Sequence, residues 1–528
     1  MRAPLQDFCD VSGLLAPGSV AVIGASDRAG NLGGDTVRRL VKFGFPGPVW
    51  PINRSAAEVA GRPCFADLAE LPAVPDLVIF AIPAHGLIEA IRACAAAGVR
   101  HGIAYAGGLA EAGGDGIELQ RSLSALCRET GFLLCGPNCV GVINTGVPVT
   151  ATFATALHEI DELRPGVVSM VTQSGGIGTT SFAMAQQAGF GFRHLISSGN
   201  EAVVDFADYL HALARDDGVR VIAGYLEGVS DGPKLLRALE EARERRKPVV
   251  LIKAGTTTTS ARAALAHTGA RVGEDRVVGA VLGEMGVLRV RSVEELIDVS
   301  LMLVGTRDRR PAGKAVGVVT FGGGNGVLAV DQCAQAGLTT PALSAPCVAR
   351  LRPLLVEVAT AANPLDLTPT TAFRADSLAQ LPRALDVIAA EPKIDSLLLI
   401  VGSLAARARE ISEVISGFAR RATKPVAVSW PSPPSGVIER LARDDIYSFI
   451  DPARGVRALE RLTAQSLAAR RAPRHAAFDL PALDWSSWVP GRDFPCVIPE
   501  HRCHGILAAA GLGVLLLLTV FPKLVTFL

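Results

Sequence analysis

The chain has 528 residues, a net charge of +1 and 49% apolar side chains. At roughly 100–200 residues per domain it holds about three domains, each with material for its own core. The near-zero charge leaves no field for holding nucleic acid through counterion release, and plentiful glycine (54) with few aromatics (5%) favours α/β units over a β-sandwich. The ten cysteines are irregularly spaced and form no C-x-x-C. That argues against a zinc site or a disulfide framework and for free thiols in a reducing cytoplasm. No metal ligands are expected.

Region one spans 12–150. SVAVIGAS ends an apolar run in a glycine turn, and a helix pattern covers Thr36–Phe43. PVWPIN, DLVIFAIP (76–83) and GIAYAG (102–107) read as further strands with helical stretches between them. Such alternation implies βαβ units and a parallel sheet. Region two spans 165–305. It begins with the strand and glycine turn VVSMVTQSGG, and RHLISSGN, VIAGYLEG and PVVLIKAG follow. Region three spans 314–470 and repeats the start of region two at an offset of 148. Thr172 aligns with Thr320, and Gly175, Gly176, Gly178 and Gly189 align with Gly323, Gly324, Gly326 and Gly337, while Ser174 is replaced by Gly322. Residues 471–496 are polar, contain proline and read as a linker.

Five motifs carry chemistry. In VIGASDRAGNLGG (22–34) a strand feeds a glycine-rich turn and then a helix, a setting whose backbone N–H groups favour phosphate. The second strand ends in Asn53 and Arg54, where an NAD site would place Asp or Glu. A cation there suits an extra phosphate, as on NADP or on the ribose of coenzyme A. A structural turn with a solvated arginine is the other reading. GPNCVGVIN (136–144) is either a plain turn or a ligand contact at the carboxyl edge of the sheet. TQSGGIG (172–178) and SSGNE (197–201) are either tight turns or anion nests. In ALAHTGARVG (264–273), His267 is either an ordinary structural or surface histidine or, set among small residues in a loop after a strand, a neutral imidazole competent as a nucleophile. In YLEGV, Glu227 follows a strand and is either solvated or placed to orient an imidazole.

Taken in order, GAS with its glycine-rich stretch, GPNC, TQSGG, SGN with Asp205, YLEG and AHTG resemble the ADP-forming (NDP-forming) acyl-CoA synthetases, relatives of the succinyl-CoA synthetase alpha subunit. The resemblance covers about residues 12–470. It implies a Rossmann-like CoA-binding domain followed by two flavodoxin-like domains. It assigns Gly24, Ala25, Ser26, Arg28, Asn53, Arg54, Ile82 and Pro83 to coenzyme A, and Asn138 to the acyl-thioester end. Ser174, Gly175, Gly176, Ser198 and Gly199 would cradle phosphate. His267 would be phosphorylated, with Glu227 orienting it. In the third region Gly323, Gly324 and Asn325 would meet the histidine loop or nothing, and ANPLDLTP (362–369) matches a family loop.

The implied reaction converts acyl-CoA, phosphate and ADP to acid, CoA and ATP through an acyl phosphate and a phosphohistidine. ATP, ADP and Mg²⁺ enter through an ATP-grasp domain. Residues 497–528 resemble the opening of that domain and then become an apolar tail, with 17 uncharged residues from Gly505 to Phe521. The tail reads as a truncated domain start, as a chain completed by a separate ATP-grasp subunit, or as a membrane anchor, the last being the weakest fit. His501, Cys503 and His504 are read as part of an amphipathic helix start, not as metal ligands. An oligomeric enzyme in the cytoplasm is expected. A catalytically idle CoA-binding protein is the alternative, and an NADP-dependent oxidoreductase lacks any hydride-transfer site after region one.

Overall fold

The computed structural model describes residues 8–257, 259–260, 275–405 and 407–470. His267 with its AHTG motif, the linker (471–496) and residues 497–528 lie outside the described residues.

Three open sheets follow one another. The first is built from β1 (Val20–Ile23), β2 (Val49–Ile52), β5 (Leu77–Phe80), β6 (His101–Ala104) and β7 (Leu133–Cys135), with β3 (Glu58–Val59) and β4 (Arg62–Pro63) forming a small hairpin beside it. Its order is β2-β1-β5-β6-β7, all parallel. The second sheet contains β8 (Gly141–Asn144), β9 (Val149–Thr152), β10 (Val168–Thr172), β11 (Phe192–Ser197), β12 (Val221–Leu226), β13 (Val249–Lys253) and β14 (Leu288–Val290). Its order is β14-β13-β12-β10-β11-β8-β9. The third contains β15 (Val316–Thr320), β16 (Leu365–Asp366), β17 (Ser396–Ile400), β18 (Val426–Ser429) and β19 (Ser448–Phe449) in the order β16-β15-β17-β18-β19.

Counted within each unit, the parallel strands of all three sheets run 2-1-3-4-5, the doubly wound order of flavodoxin-like folds. The crevice beyond the first strand of each unit is a topological switch point, where open α/β sheets bind ligands. The central strands are buried on both faces. Such strands read as unbroken apolar runs because helices cover both sides.

Two details differ from the sequence expectation. The first helix spans Leu32–Lys42 rather than Thr36–Phe43, because the Asn31 side chain caps it by accepting from Gly34 N–H at 2.7 Å. The segment 141–152, placed by sequence in the first region, extends the second sheet. β8 pairs antiparallel with β11, and β9 pairs with β8. A short antiparallel hairpin satisfies its own ladder and covers the sheet edge, and alternating apolar residues alone do not say which sheet it joins.

The three units share cores. One buried cluster runs from Val22 and Leu40 through Val142 and Val171 to Leu251, joining the first two sheets. Another joins Phe182 and Val250 of the second sheet to Val316, Leu398 and Leu459 of the third unit. The helix Val293–Thr306 lies in that second cluster and is buried from Glu295 to Val304. It packs on the helix Pro452–Ala469, and Arg454 clamps the pair. The arginine meets Asp298 at 2.7 and 2.8 Å and Glu294 at 3.2 Å, while Arg461 meets Glu295 at 2.7 Å. Burial outweighs the arginine at Asp298 and leaves its carboxyl above its ordinary value.

Removing one partner of such a buried pair strands the other charge. Arg454→Ala is expected to cost about 3 kcal/mol or more, and Asp298→Leu with Arg454→Leu to recover most of that loss. Urea unfolding of the two variants against the unaltered chain checks both.

Candidate active site

The first switch point holds the glycine turn after β1. Gly24 has φ +86°, and a Cβ there would lie 2.5 Å from Ala81 O, so only glycine fits. Its N–H donates to Ile52 O at 3.0 Å. Asn31 ties the turn to the helix, donating to Gly24 O at 3.1 Å and accepting from Ser26 N–H at 3.0 Å. Asn53 donates to Ala25 O at 2.8 Å. Ile82 is half-buried and Pro83 exposed, just past β5. Arg28 and Arg54 are exposed at the rim, and neither has an ion-pair partner among the described residues. A backbone turn closed on a helix start, with two uncommitted guanidinium groups beside it, fits a ligand carrying several phosphates, as coenzyme A does.

The second part is the junction of GPN and SGN. Asn200 N–H donates to Pro137 O at 2.9 Å, and Ala202 N–H donates to Gly136 O at 3.0 Å. Gly199 has φ +59°, and a Cβ there would stand 2.2 Å from Pro137 O. Asn138, also left-handed at φ 56°, donates from its amide to Asn200 Oδ1 at 3.2 Å. The Asn200 amide in turn donates to Gln120 Oε1 at 2.9 Å and to Glu111. Loops from two different sheets thus form one bonded wall.

The third part is the carboxyl edge of the second sheet. Thr172 Oγ1 donates to Ser174 O at 2.7 Å and accepts from Ser174 N–H at 3.1 Å, closing the turn after β10. The helix Gly175–Gln187 starts there, with Ser174 accepting from Ile177 N–H at 3.4 Å. The N–H groups of Gly175 and Gly176 have no acceptor among the described residues, and a Cβ on Gly176 would meet open space. First-turn amides without an acceptor among the described residues, at the positive end of a 13-residue helix, are suited to an anion. Ser198 is buried and already committed: its N–H donates to Thr172 O at 2.9 Å and its hydroxyl to Glu201 Oε1 at 2.7 Å.

Glu227, just past the end of the neighbouring β12, is 5% exposed, and its Oε2 has no hydrogen-bond partner among the described residues. Its N–H donates to Gln173 Oε1 at 2.6 Å, and its carbonyl accepts from Lys253 Nζ at 2.7 Å. Burial and the nearby Glu227 charge push the Tyr225 phenol up to about 12. A buried carboxylate oxygen without a partner is costly and calls for a donor. β13 ends at Lys253 in register with Leu226 of β12. The segment carrying His267 therefore leaves the sheet one strand from Glu227. The structure brings together Asn138, Ser174, Gly175, Ser198, Gly199 and Glu227. His267 itself lies outside the described residues.

Sequence reading passed over Gln173, Asn200, Glu201 and Lys253 as individual residues. Gln173, Asn200 and Glu201 stand inside the quoted motifs, and Lys253 immediately follows a buried run, where a charged residue is itself a signal.

The threonine turn is repeated in the third unit, without the serine cap. Thr320 Oγ1 donates to Gly322 O at 2.9 Å and accepts from Gly322 N–H at 3.1 Å, before a helix of the same length at Gly323–Gln335. Gly322 supplies no cap. The Asp366 carboxylate stands 3.1 Å from where a Cβ of Gly323 would be. A negative charge there opposes a second anion site.

Residues 18–145 match the CoA binding domain family and residues 165–303 the succinyl-CoA ligase like flavodoxin domain. The chain is 32% identical over 450 residues to acetate–CoA ligase [ADP-forming] I of Archaeoglobus fulgidus, covering 85% of this chain and 63% of that protein. It is 32% identical to the alpha subunit of acetate–CoA ligase [ADP-forming] I of Pyrococcus furiosus, of which it covers 70%, and 30% identical to the corresponding subunit of enzyme II, of which it covers 80%. Among solved structures, the dinucleotide forming acetyl-coenzyme A synthetase 1 of Ca. Korarchaeum cryptofilum, in complex with phosphate and ADP, superposes with a TM-score of 0.76 at 27% identity, covering 87% of this chain and 97% of that one. The fold and its two loop-lined crevices define a CoA-binding, succinyl-CoA ligase-like α/β protein. More narrowly, the chain belongs to the family of ADP-forming acyl-CoA ligases and matches their alpha-type portion.

The Gly199 contact makes a direct test of the wall between GPN and SGN. Gly199→Ala is expected to lower stability by about 1–3 kcal/mol and to weaken CoA binding. Thermal unfolding and calorimetric CoA titration measure the two effects.

Proposed function

We propose that this chain is the CoA-binding and phosphohistidine-bearing component of an NDP-forming acid–CoA ligase. It interconverts acyl-CoA, phosphate and ADP with acid, CoA and ATP. The observation that carries this reading is the second switch point. There, among the described residues, the amides of Gly175 and Gly176 have no acceptor and Glu227 Oε2 has no hydrogen-bond partner, and β13, which precedes the His267 segment in sequence, pairs with β12.

In the first step a phosphate oxygen attacks the thioester carbonyl. The C–S bond breaks, CoA leaves and an acyl phosphate forms. Asn138, on the wall between the two loops, stands at the thioester end. In the second step a ring nitrogen of His267 attacks phosphorus, and the P–O bond to the acyl group breaks to release the acid. Ser174, Gly175, Gly176 and Gly199 surround the phosphoryl oxygens, with Ser198 bracing the turn. Phosphoryl transfer needs positioning and charge stabilisation more than covalent help, and main-chain amides provide both. Glu227 accepts the other imidazole N–H, fixing the tautomer that attacks. Arg28 and Arg54 hold the CoA phosphates, with Gly24, Ala25, Ser26, Asn53, Ile82 and Pro83 shaping the crevice.

The phosphohistidine then hands its phosphoryl group to ADP on an ATP-grasp partner, where Mg²⁺ supplies charge neutralisation. The alpha-subunit relatives support a separate partner subunit in an oligomer. Eight described cysteines are free, and no helix among the described residues is long and apolar enough to cross a membrane. The free thiols support a reducing, cytoplasmic setting.

The full-length chain, mixed with acetyl-CoA and radioactive phosphate without nucleotide, is expected to acquire an acid-labile label. His267→Asn should abolish the label, and Glu227→Gln should slow it about 100-fold. CoA binding without any label would instead favour an idle CoA-binding protein.

A further inference from the structure

Glu201 has no role in the scheme above, yet it is wired into the phosphate site. It follows the SGN turn at φ +54°, half-buried. Its Oε1 accepts from the Ser198 hydroxyl at 2.7 Å, and Ser198 N–H is bonded to Thr172 O, at the turn that opens the Gly175 helix. The next residue back, Asn200, bonds both to Asn138 and to Pro137 O. Moving Glu201 therefore moves the segment shared by the thioester wall and the anion nest.

Its charge environment is one-sided. Asp205 and Asp208 face it from the start of the helix Phe206–Arg215, and Asp231 lines the same shallow pocket from the start of the helix Gly232–Glu244. Lys234 is the cation on that side, and its ammonium already meets Asp208 at 2.7 Å and Asp205 at 3.1 Å. Glu227 ends the adjacent β12, and the neutral Gln173 faces Glu201 from the β10 turn. No ion-pair partner for Glu201 exists among the described residues. An ionised carboxylate here would be unpaired beside two others and next to a site for phosphate.

We propose that Glu201 is a positioning residue of the phosphate station that acts as an uncharged acid, holding the Ser198 hydroxyl and the Ser198–Gly199–Asn200 turn without adding negative charge beside the anion. The proposal rests on the phosphohistidine reading and extends it to a residue outside the reacting set. Burial first, then the Asp205 and Asp208 charges, push the carboxyl up to about 8 against the opposing hydrogen bonds of Ser198 and Gln173. The acid is thus neutral near pH 7 and gains its charge as pH rises through about 8. Phosphate binding should weaken over that same rise.

The test compares the full-length chain with Glu201→Gln and Glu201→Ala, each labelled from acetyl-CoA and radioactive phosphate at about pH 7 and about pH 9. The readout is the ratio of half-saturating phosphate at the higher pH to that at the lower. Inorganic phosphate titrates near neutrality in every sample, so only the difference between proteins counts. The unaltered chain is expected to show a ratio about tenfold larger than Glu201→Gln, the size of one nearby charge. Glu201→Ala is expected to raise half-saturating phosphate about tenfold at both pH values with half-saturating acetyl-CoA little moved. Equal ratios for the unaltered chain and Glu201→Gln would overturn the proposal, as would a Glu201→Ala protein with normal phosphate dependence.

The rise in melting temperature on adding phosphate gives the same comparison without turnover. The unaltered chain should lose that rise at the higher pH, and Glu201→Gln should keep it. A chain that shows this pattern but never becomes labelled rejects the phosphohistidine and keeps the Glu201 proposal. Labelling with no difference between the proteins does the reverse.

Discussion

The wall between the first and second units is the constraint on which the site depends. Backbone bonds from Asn200 and Ala202 to Pro137 and Gly136 join loops that belong to different sheets. Their closeness is possible because residue 199 lacks a side chain. A thioester and a phosphate that must react have to sit about 3 Å apart with the correct approach. Two crevices on separately moving domains would not hold that spacing. Here the GPN and SGN loops at the edges of the first two sheets are fixed to each other by main chain, and the shared core from Val22 to Leu251 stiffens the join that the proposed reaction needs.

Within that frame, charge is arranged by strand order. The 2-1-3-4-5 arrangement puts the β10 turn at the centre of the second sheet's carboxyl edge, with β12 on one side and β11 on the other. Amide donors therefore come from β10, the SGN turn from β11 and the Glu227 carboxylate from β12. β13, next in line, is followed in sequence by the segment that carries His267. Lys253 at its end donates to the carbonyls of Glu227 and Ala254, and burial lowers its pKa. That ties the departure point of the segment to the strand bearing Glu227.

Much of this was legible in the sequence, for physical reasons. Strands buried on both faces leave unbroken apolar runs, so VVSMVT and AVGVVT announce themselves, and the 148-residue repeat predicts the matching Thr172 and Thr320 turns. Glycines that tolerate no Cβ, such as Gly24 and Gly199, mark the tight turns at the carboxyl edges of the first two sheets. Three things were not legible. The hairpin at 141–152 is placed by a partner strand some fifty residues away, which local pattern does not encode. The commitment of Ser198 to Glu201 depends on side-chain direction in the folded turn. The Asp366 carboxylate beside Gly323 comes from β16, more than forty residues downstream of the repeat, so that neighbourhood shows only in three dimensions.

The helix Val293–Thr306 has a further implication. Its apolar surface is covered partly by the second sheet and partly by the helix Pro452–Ala469, with Arg454 reaching across. Neither unit has a finished exterior on that side. Pulling the two apart would therefore bare apolar surface on both, so the pair is expected to gain its stability together rather than as two self-sufficient pieces.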